Sequence, residues 1–123
     1  MKTPHLVHTF TGRRTRLLPG RETNYRTIHS RIPKAVALAL RDAGVVSWRI
    51  WEDGLSLFHA IETREGYPAM VEKIESLGPI DTEWDAVIAS LLDSTSGNDV
   101  MLPLVWGMDS GTQWDSDADG QIK

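Results

Sequence analysis

Apolar residues recur along residues 21–43 at the spacing of one helical face. The steps are of three and four residues, and the positions are Tyr25, Ile28, Ile32, Val36, Ala39, Leu40 and Ala43. This spacing predicts an amphipathic helix, and Gly44 supplies a C-terminal cap. Pro33 lies inside the stretch and lacks the N–H that would bond the carbonyl of His29. We therefore expect the helix to bend near residues 29–33.

Two β-branched and aromatic segments, 45–51 and 55–62, flank a strong turn signal. The dipeptide Asp53-Gly54 is typical of a tight β-hairpin, and with these two residues in the loop Trp48 lies opposite His59. Because side chains alternate along a strand, the more apolar face is expected to pack against the helices. That face carries Val46, Trp48, Ile50, Leu57, His59 and Ile61.

Four further elements complete the predicted order. Residues 12–18 form a strand that the turn Pro19-Gly20 ends. A helix over 66–77 begins with Pro68 in its first turn and buries Tyr67, Met70, Val71, Ile74 and Leu77. The next helix runs from its N-cap Asp81 to residue 92 and buries Trp84, Val87, Ile88 and Leu91. A last strand covers 100–108, and Pro103 places it at a sheet edge or starts the strand after it.

The predicted order is β-α-β-β-α-(α)-β, which is the split βαβ pattern of ferredoxin-like α+β domains. We expect an antiparallel sheet with helices on one face, as in dimeric α/β-barrel proteins. The open face, with Trp51 and Phe58, would then be covered by a second copy in a homodimer. Residues 1–108 are predicted to form one domain, and residues 109–123 an acidic, mobile tail.

Composition narrows the function classes. The chain has 123 residues and no cysteine, so disulfides and thiolate chemistry are excluded. Residues 1–10 carry no apolar run of signal-peptide length, and no segment reaches the ~20 apolar residues of a membrane span. We expect a soluble cytoplasmic protein without a membrane partner. Residues 1–50 carry a net charge of +8 and residues 51–123 one of −12. The arginines are scattered, so we do not expect nucleic-acid binding.

Two histidines and three aromatic residues are predicted to converge between the helices and the sheet. They are His29, His59, Tyr25, Trp48 and Trp84. Flat apolar surfaces with a few polar groups are typical of a sugar pocket, and histidine carries protons near neutral pH. The same residues could equally be a hydrogen-bonded core histidine and ordinary packed aromatics.

Two patterns in the sequence could suggest metal binding, and in both we favour another interpretation. His29 and His59 lack a carboxylate as third ligand on their face. Residues 115–122 match the first eight positions of a calcium loop, but the chain ends before the glutamate of position twelve. We expect no metal and no cofactor.

Residues 12–108 resemble the L-rhamnose mutarotase family. The matching stretches are RLLPGRETNYRTIHSRIP (16–33), AGVVSWRIWEDGLSLFHAIE (43–62), PIDTEWDAVIASLLD (79–93) and LPLVW (102–106). The resemblance implies a dimeric, ferredoxin-like, cofactor-free isomerase that interconverts the α and β anomers of a 6-deoxy hexose such as L-rhamnose. Its partner would be a monosaccharide substrate.

The resemblance also implies roles for particular residues. The family's proton-donating histidine falls on His29, and its substrate-contacting aromatics fall on Tyr25 and Trp48. Its tryptophan pair falls on Glu83 and Trp84, so only the second position matches. Glu83 would either bind sugar hydroxyls or complement the helix dipole. His59 joins these residues as a further candidate for substrate binding.

Ring opening needs a proton delivered to the ring oxygen and another removed from the anomeric hydroxyl. Our hypothesis is that His29 gives and recovers the first proton, while Tyr25 or a water relays the second. Two alternatives remain open: a cofactor-free monooxygenase-like or haem-handling enzyme of the same fold, and a non-catalytic sugar-binding module. Haem absorbance, oxygen uptake with a quinol, or rhamnose binding without anomer exchange would distinguish them.

Overall fold

Four antiparallel strands form the main sheet of the computed structural model, which describes residues 9–108, 110–115 and 121–122. They are β1 (Thr9–Arg16), β2 (Val45–Asp53), β3 (Ser56–Thr63) and β4 (Val100–Leu102), in the order β2-β3-β1-β4. The helices are α1 (Glu22–His29), α2 (Lys34–Asp42), α3 (Tyr67–Ser76) and α4 (Thr82–Leu91). The predicted ferredoxin-like α+β class is confirmed.

The predicted first helix is two separate helices. The predicted place of the bend was right, but the chain breaks there and does not merely bend. The helix α1 ends at His29 with Ser30 as its C-cap, and α2 begins after Pro33, whose backbone is extended with φ −56° and ψ 139°. Proline disfavours a helical conformation at the preceding residue and donates no backbone hydrogen bond. Pro33 instead caps α2 through its carbonyl, which accepts from the N–H groups of Val36 and Ala37 at 3.0 Å. His29 therefore lies at the last turn of α1.

The hairpin forms, with its register two residues from the predicted one. Asp53 pairs with Ser56, so Gly54 and Leu55 occupy the turn, and Gly54 adopts φ +62°. Trp48 pairs with Ile61, and Ile50 pairs with His59. A slip of two residues preserves the alternation of faces, so Trp48 and His59 still project from the same side of the sheet.

Three residues that the sequence placed in the core are exposed. A register shift between Val45 and Ser47 takes Val46 out of the alternation, and it is 42% exposed. Leu77 follows the last residue of α3 and is 57% exposed. Val87 lies at the margin of the buried face of α4 and is 38% exposed. The core centres on Leu17 and on three residues that were predicted to be buried, Tyr25, Leu57 and Leu91.

Backbone hydrogen bonds fix the end of α4 to the end of β1. The N–H of Leu18 donates to the carbonyl of Leu91 at 2.9 Å, and the N–H of Asp93 donates to the carbonyl of Arg16 at 2.7 Å. Asp81 caps the other end of α4, accepting from the backbone N–H of Trp84, as predicted. Both ends of the helix that carries Trp84 are therefore held in place.

The predicted last strand is divided at Pro103. Its first part, β4, lies at the edge of the main sheet beside β1. Its second part, β5 (Trp106–Met108), pairs with β6 (Gln113–Asp115), which pairs with β7 (Gln121–Ile122). The predicted tail at 109–123 thus contains strands in its described part, and its mobility stays a prediction. Most of the calcium-like pattern at 115–122 lies outside the described residues.

The face of the sheet opposite the helices carries exposed apolar side chains. Trp51 on β2 is 56% exposed, Phe10 on β1 is also exposed, and Phe58 on β3 is half-buried. The homodimer predicted for this face stays a prediction. None of the described helices is long and apolar enough to cross a membrane.

Candidate active site

A cavity of about 900 Å³ lies between the helices and the sheet. This volume falls in the range of ~300–1,000 Å³ typical of small-molecule sites. All five residues that the sequence predicted to converge line it: Tyr25, His29, Trp48, His59 and Trp84. Apolar side chains from α2, α3 and α4 complete the walls. The five side chains therefore converge on one cavity, and other side chains do not fill it.

Three aromatic rings lie side by side on the helix side of the cavity. Tyr25 and His29 are one helical turn apart on α1, and their rings stack with centroids 4.4 Å apart and an interplanar angle of 19°. The Tyr25 hydroxyl lies 3.5 Å from Nε2 of His29. The Trp84 ring of α4 is tilted by 48° to the imidazole, at a centroid distance of 5.5 Å.

Burial keeps these groups uncharged near neutral pH. Removal from water lowers the pKa of His29 below its usual 6.5, because the imidazolium is the charged form. Burial raises the pKa of Tyr25 to about 12, although the nearby charge of Arg13 acts in the opposite direction. A neutral imidazole therefore faces a protonated phenol, an arrangement in which either group can pass a proton to the other.

Two buried nitrogens beside the cavity have no hydrogen-bond partner among the described residues. They are Nδ1 of His29 and Nε1 of Trp84. A buried polar atom without a partner costs about 1–3 kcal/mol, so water or a bound molecule usually completes its hydrogen bonding. Both belong to residues that line the cavity, which supports a polar ligand at this end of it.

The sheet side of the cavity is a hydrogen-bonded set, which we call the His59 bridge: Thr15, His59 and Trp48. Nε1 of Trp48 donates to Nδ1 of His59 at 3.1 Å. Nε2 of His59 lies 2.9 Å from Oγ1 of Thr15. The three side chains come from β1, β3 and β2, which are adjacent in the sheet.

Arg13 and Thr15 are cavity residues that sequence reasoning missed. They lie four and two residues before the fully buried Leu17, which follows β1, so the alternation rule that placed Trp48 inward would have placed them inward too. Arg13 pairs with His59 across the β1–β3 ladder. Its guanidinium makes two 2.8 Å contacts to the carboxylate of Asp99 and donates to the Tyr67 hydroxyl at 3.1 Å.

Charged residues lie on part of the cavity lining, and Glu83 is not among them. Glu83 is exposed in the first turn of α4, on a different side of the helix from Trp84. Its neighbour Asp85 does line the cavity. Arg26 of α1 and Glu52 of β2, which also line it, form a 2.9 Å ion pair. This pair joins the helix that carries His29 to the strand that carries Trp48.

Metal-ligand geometry is not found in the described part of the chain. No group of three or more histidine and acidic side chains there could hold an ion. The two cavity histidines are separately engaged, His29 with Tyr25 and His59 with its own bridge. The chemistry that these residues can provide is therefore proton transfer and the binding of a polar molecule against aromatic surfaces.

A ferredoxin-like sheet with an imidazole, a phenol and two indoles around one largely apolar cavity is the arrangement of a small enzyme that works by proton transfer. The model of the L-rhamnose mutarotase family matches residues 11–108, which is most of the chain. The chain therefore belongs to the L-rhamnose mutarotase family, and the predicted enzyme class, an isomerase, is confirmed.

Structural comparison agrees with this assignment at the level of the fold. The chain is similar to the crystal structure of an L-rhamnose mutarotase from Formosa agariphila, with a TM-score of 0.61 and 21% sequence identity. The similarity covers 82% of this chain and 99% of the other. A search of the curated proteins finds no match.

Proposed function

We propose that the protein is a mutarotase that interconverts the α and β anomers of a 6-deoxy hexose such as L-rhamnose. The observation that carries the proposal is the stacked Tyr25–His29 pair in a cavity of about 900 Å³. A hexose has both apolar C–H faces and hydroxyl groups, so it matches aromatic walls with buried polar atoms. Membership of the family and the description of the Formosa agariphila protein support the same substrate class.

His29 and Tyr25 together supply the two proton transfers of ring opening. His29 gives a proton to the ring oxygen, Tyr25 takes the proton of the anomeric hydroxyl, and the phenolic proton of Tyr25 passes to His29. The bond between the anomeric carbon and the ring oxygen breaks while the carbonyl forms, so charge is conserved. A neutral imidazole has one protonated and one free nitrogen, so it can give and take in the same opening.

Closure on the other face of the aldehyde reverses each transfer and gives the other anomer. The contact of 3.5 Å between the Tyr25 hydroxyl and Nε2 is longer than an ordinary hydrogen bond. Such contacts are often long in ligand-free sites and shorten when substrate binds. Trp48 and Trp84 pack against the sugar and exclude water, while Nε1 of Trp84 donates to a sugar oxygen.

Saturation-transfer NMR between the anomeric protons of free L-rhamnose tests the proposal directly. The wild-type protein should accelerate exchange, and His29→Ala should lose roughly 10²- to 10⁴-fold of that acceleration, the usual contribution of a general acid–base group. The variant should unfold at nearly the wild-type temperature, because His29 is only half-buried. Exchange at the wild-type rate in His29→Ala would refute the role of His29.

The same experiment with a panel of sugars addresses specificity. L-Rhamnose, L-fucose and their 6-hydroxylated relatives differ in hydroxyl geometry and in the group at C6. A 6-deoxy substrate places a methyl group where other hexoses carry a hydroxyl, and the apolar walls favour the methyl group. Acceleration of 6-hydroxylated sugars alone would contradict the proposed substrate class.

The homodimer and the cytoplasmic location are also proposals. The exposed Trp51 and Phe10 on the open face of the sheet support packing of a second copy there. Sedimentation equilibrium at micromolar concentration should give twice the chain mass of 13.7 kDa. A monomer under these conditions would contradict the dimer, and fractionation of the source cells would test the location.

A further inference from the structure

The His59 bridge has only one arrangement of protons. An indole N–H donates and cannot accept, so Nδ1 of His59 must be unprotonated to bond Trp48. The proton of a neutral imidazole then lies on Nε2, from which it donates to Oγ1 of Thr15. Both ring nitrogens are therefore occupied, and His59 has neither a free lone pair nor a free N–H to offer a substrate.

The surroundings of His59 keep the imidazole neutral. The residue is only 8% exposed, and Arg13 is its direct neighbour on β1. Burial, followed by the charges of Arg13 and His29, lowers the pKa of His59 to about 4, while Asp99 acts weakly in the opposite direction. A proton on Nδ1 would also point an N–H at the indole N–H and break the bond to Trp48.

The bridge determines the orientation of Trp48. This side chain is half-buried on β2, the edge strand, so packing surrounds it less completely than it surrounds Leu57 or Ile61. Its indole meets the His59 ring at 69° with the centroids 6.0 Å apart. The hydrogen bond to His59 therefore selects one orientation of the indole at the wall of the cavity.

We propose that His59 is a positioning residue, which holds the Trp48 indole against the sugar and exchanges no proton with it. This inference rests on the proposed mutarotase function. It divides the two cavity histidines by role: His29 acts on the substrate, whereas His59 acts through Trp48. Thr15 completes the arrangement because its hydroxyl accepts the Nε2 proton that the bond to Trp48 requires.

A matched pair of substitutions separates positioning from packing. His59→Leu fills similar space and removes both hydrogen bonds of the bridge. His59→Asn is smaller, but its side-chain oxygen can take the place of Nδ1 and accept from Trp48. If His59 only packs, Leu is the milder substitution, and if it positions Trp48, Asn is the milder one. Thr15→Val is a second test that leaves the histidine in place.

The measurement is the rhamnose exchange rate as a function of rhamnose concentration. His59→Leu should raise the half-saturating concentration roughly three- to tenfold, the value of one hydrogen bond, with a smaller change in the maximal rate. His59→Asn should restore most of that loss, and Thr15→Val should fall between them. An unchanged half-saturating concentration in His59→Leu, or a larger loss in His59→Asn, would overturn the inference.

Nitrogen-15 NMR of the wild-type imidazoles gives an independent readout. His59 should show a protonated Nε2 and an unprotonated Nδ1 at neutral pH, and the Trp48 indole N–H should shift in His59→Leu but return towards its position in His59→Asn. A protonated Nδ1 would overturn the inference by itself. Absence of rhamnose exchange in the wild-type protein would instead remove the proposed function, and the imidazole spectrum would still report the bridge.

Discussion

The helix side and the sheet side of the cavity use the same kind of residue for opposite purposes. His29 lies at the last turn of α1, and its Nδ1 has no partner among the described residues. His59 lies in the middle of β3, and both of its nitrogens are bonded to neighbouring strands. The role of each histidine therefore follows from the hydrogen bonds that its ring nitrogens leave open. Burial lowers the pKa of both residues and does not distinguish them.

After His29→Ala, Tyr25→Phe should give the largest effect on the helix side. The substitution removes the hydroxyl beside Nε2 of His29 and keeps the ring that belongs to the core. We expect the maximal exchange rate to fall by about 10²- to 10³-fold, because the proton of the anomeric hydroxyl loses its relay. Saturation transfer at saturating rhamnose measures this. A loss below threefold would show that water performs the relay, and circular dichroism provides the check on folding.

Acid should lower the stability of the folded protein through His59 on the sheet side of the cavity. The folded-state pKa of His59 is about 4 and the ordinary value is 6.5, so between these values the unfolded chain binds a proton that the folded chain does not. The contribution of His59 to stability is therefore complete above about pH 6.5 and declines as the pH falls towards 4, by at most about 3 kcal/mol. Urea unfolding at several pH values measures the decline.

His59→Leu is the control for the acid effect. The stability of the variant should fall less than that of the wild type between pH 6.5 and 4, since the variant lacks the imidazole that titrates. The variant should keep part of the dependence of stability on pH, because burial lowers the pKa of His29 as well. Identical slopes in the two proteins would contradict the assignment of the acid sensitivity to His59.

Trp84→Phe should give an intermediate effect confined to binding. Phenylalanine keeps an aromatic wall beside His29 and removes the buried indole N–H that has no partner among the described residues. We expect the half-saturating rhamnose concentration to rise roughly three- to tenfold, with little change in the maximal rate. A purely kinetic defect would show that the indole instead orients His29.

Glu83→Gln should give the smallest effect. Glu83 is exposed in the first turn of α4 and does not line the cavity, so its charge interacts with the helix N-terminus. We expect a loss of about 0.3–1 kcal/mol in stability and less than a twofold change in exchange. Asp85→Asn, in the same turn but at the cavity, is the matched comparison. A large loss of exchange in Glu83→Gln would place a sugar contact at this position.

The sequence by itself determined the order of the four strands of the main sheet and the five ring-bearing residues of the cavity. The face of a strand or a helix on which a residue lies follows from the periodicity of that element. A shift of two residues in strand pairing does not change it. Trp48 and His59 were therefore assigned to the right face although the hairpin is shifted by two residues. Pro33 likewise determined where the first helix breaks, because a missing N–H acts locally.

Only the tertiary structure decided which nitrogen meets which partner. The β1–β3 ladder places Arg13 and Thr15 beside His59, and these partners are more than forty residues away in the chain. The register between distant strands depends on the packing of the whole sheet, and no local sequence pattern encodes it. The imidazole of His29 has an open nitrogen and that of His59 has none. This difference depends on how the strands are assembled in the sheet.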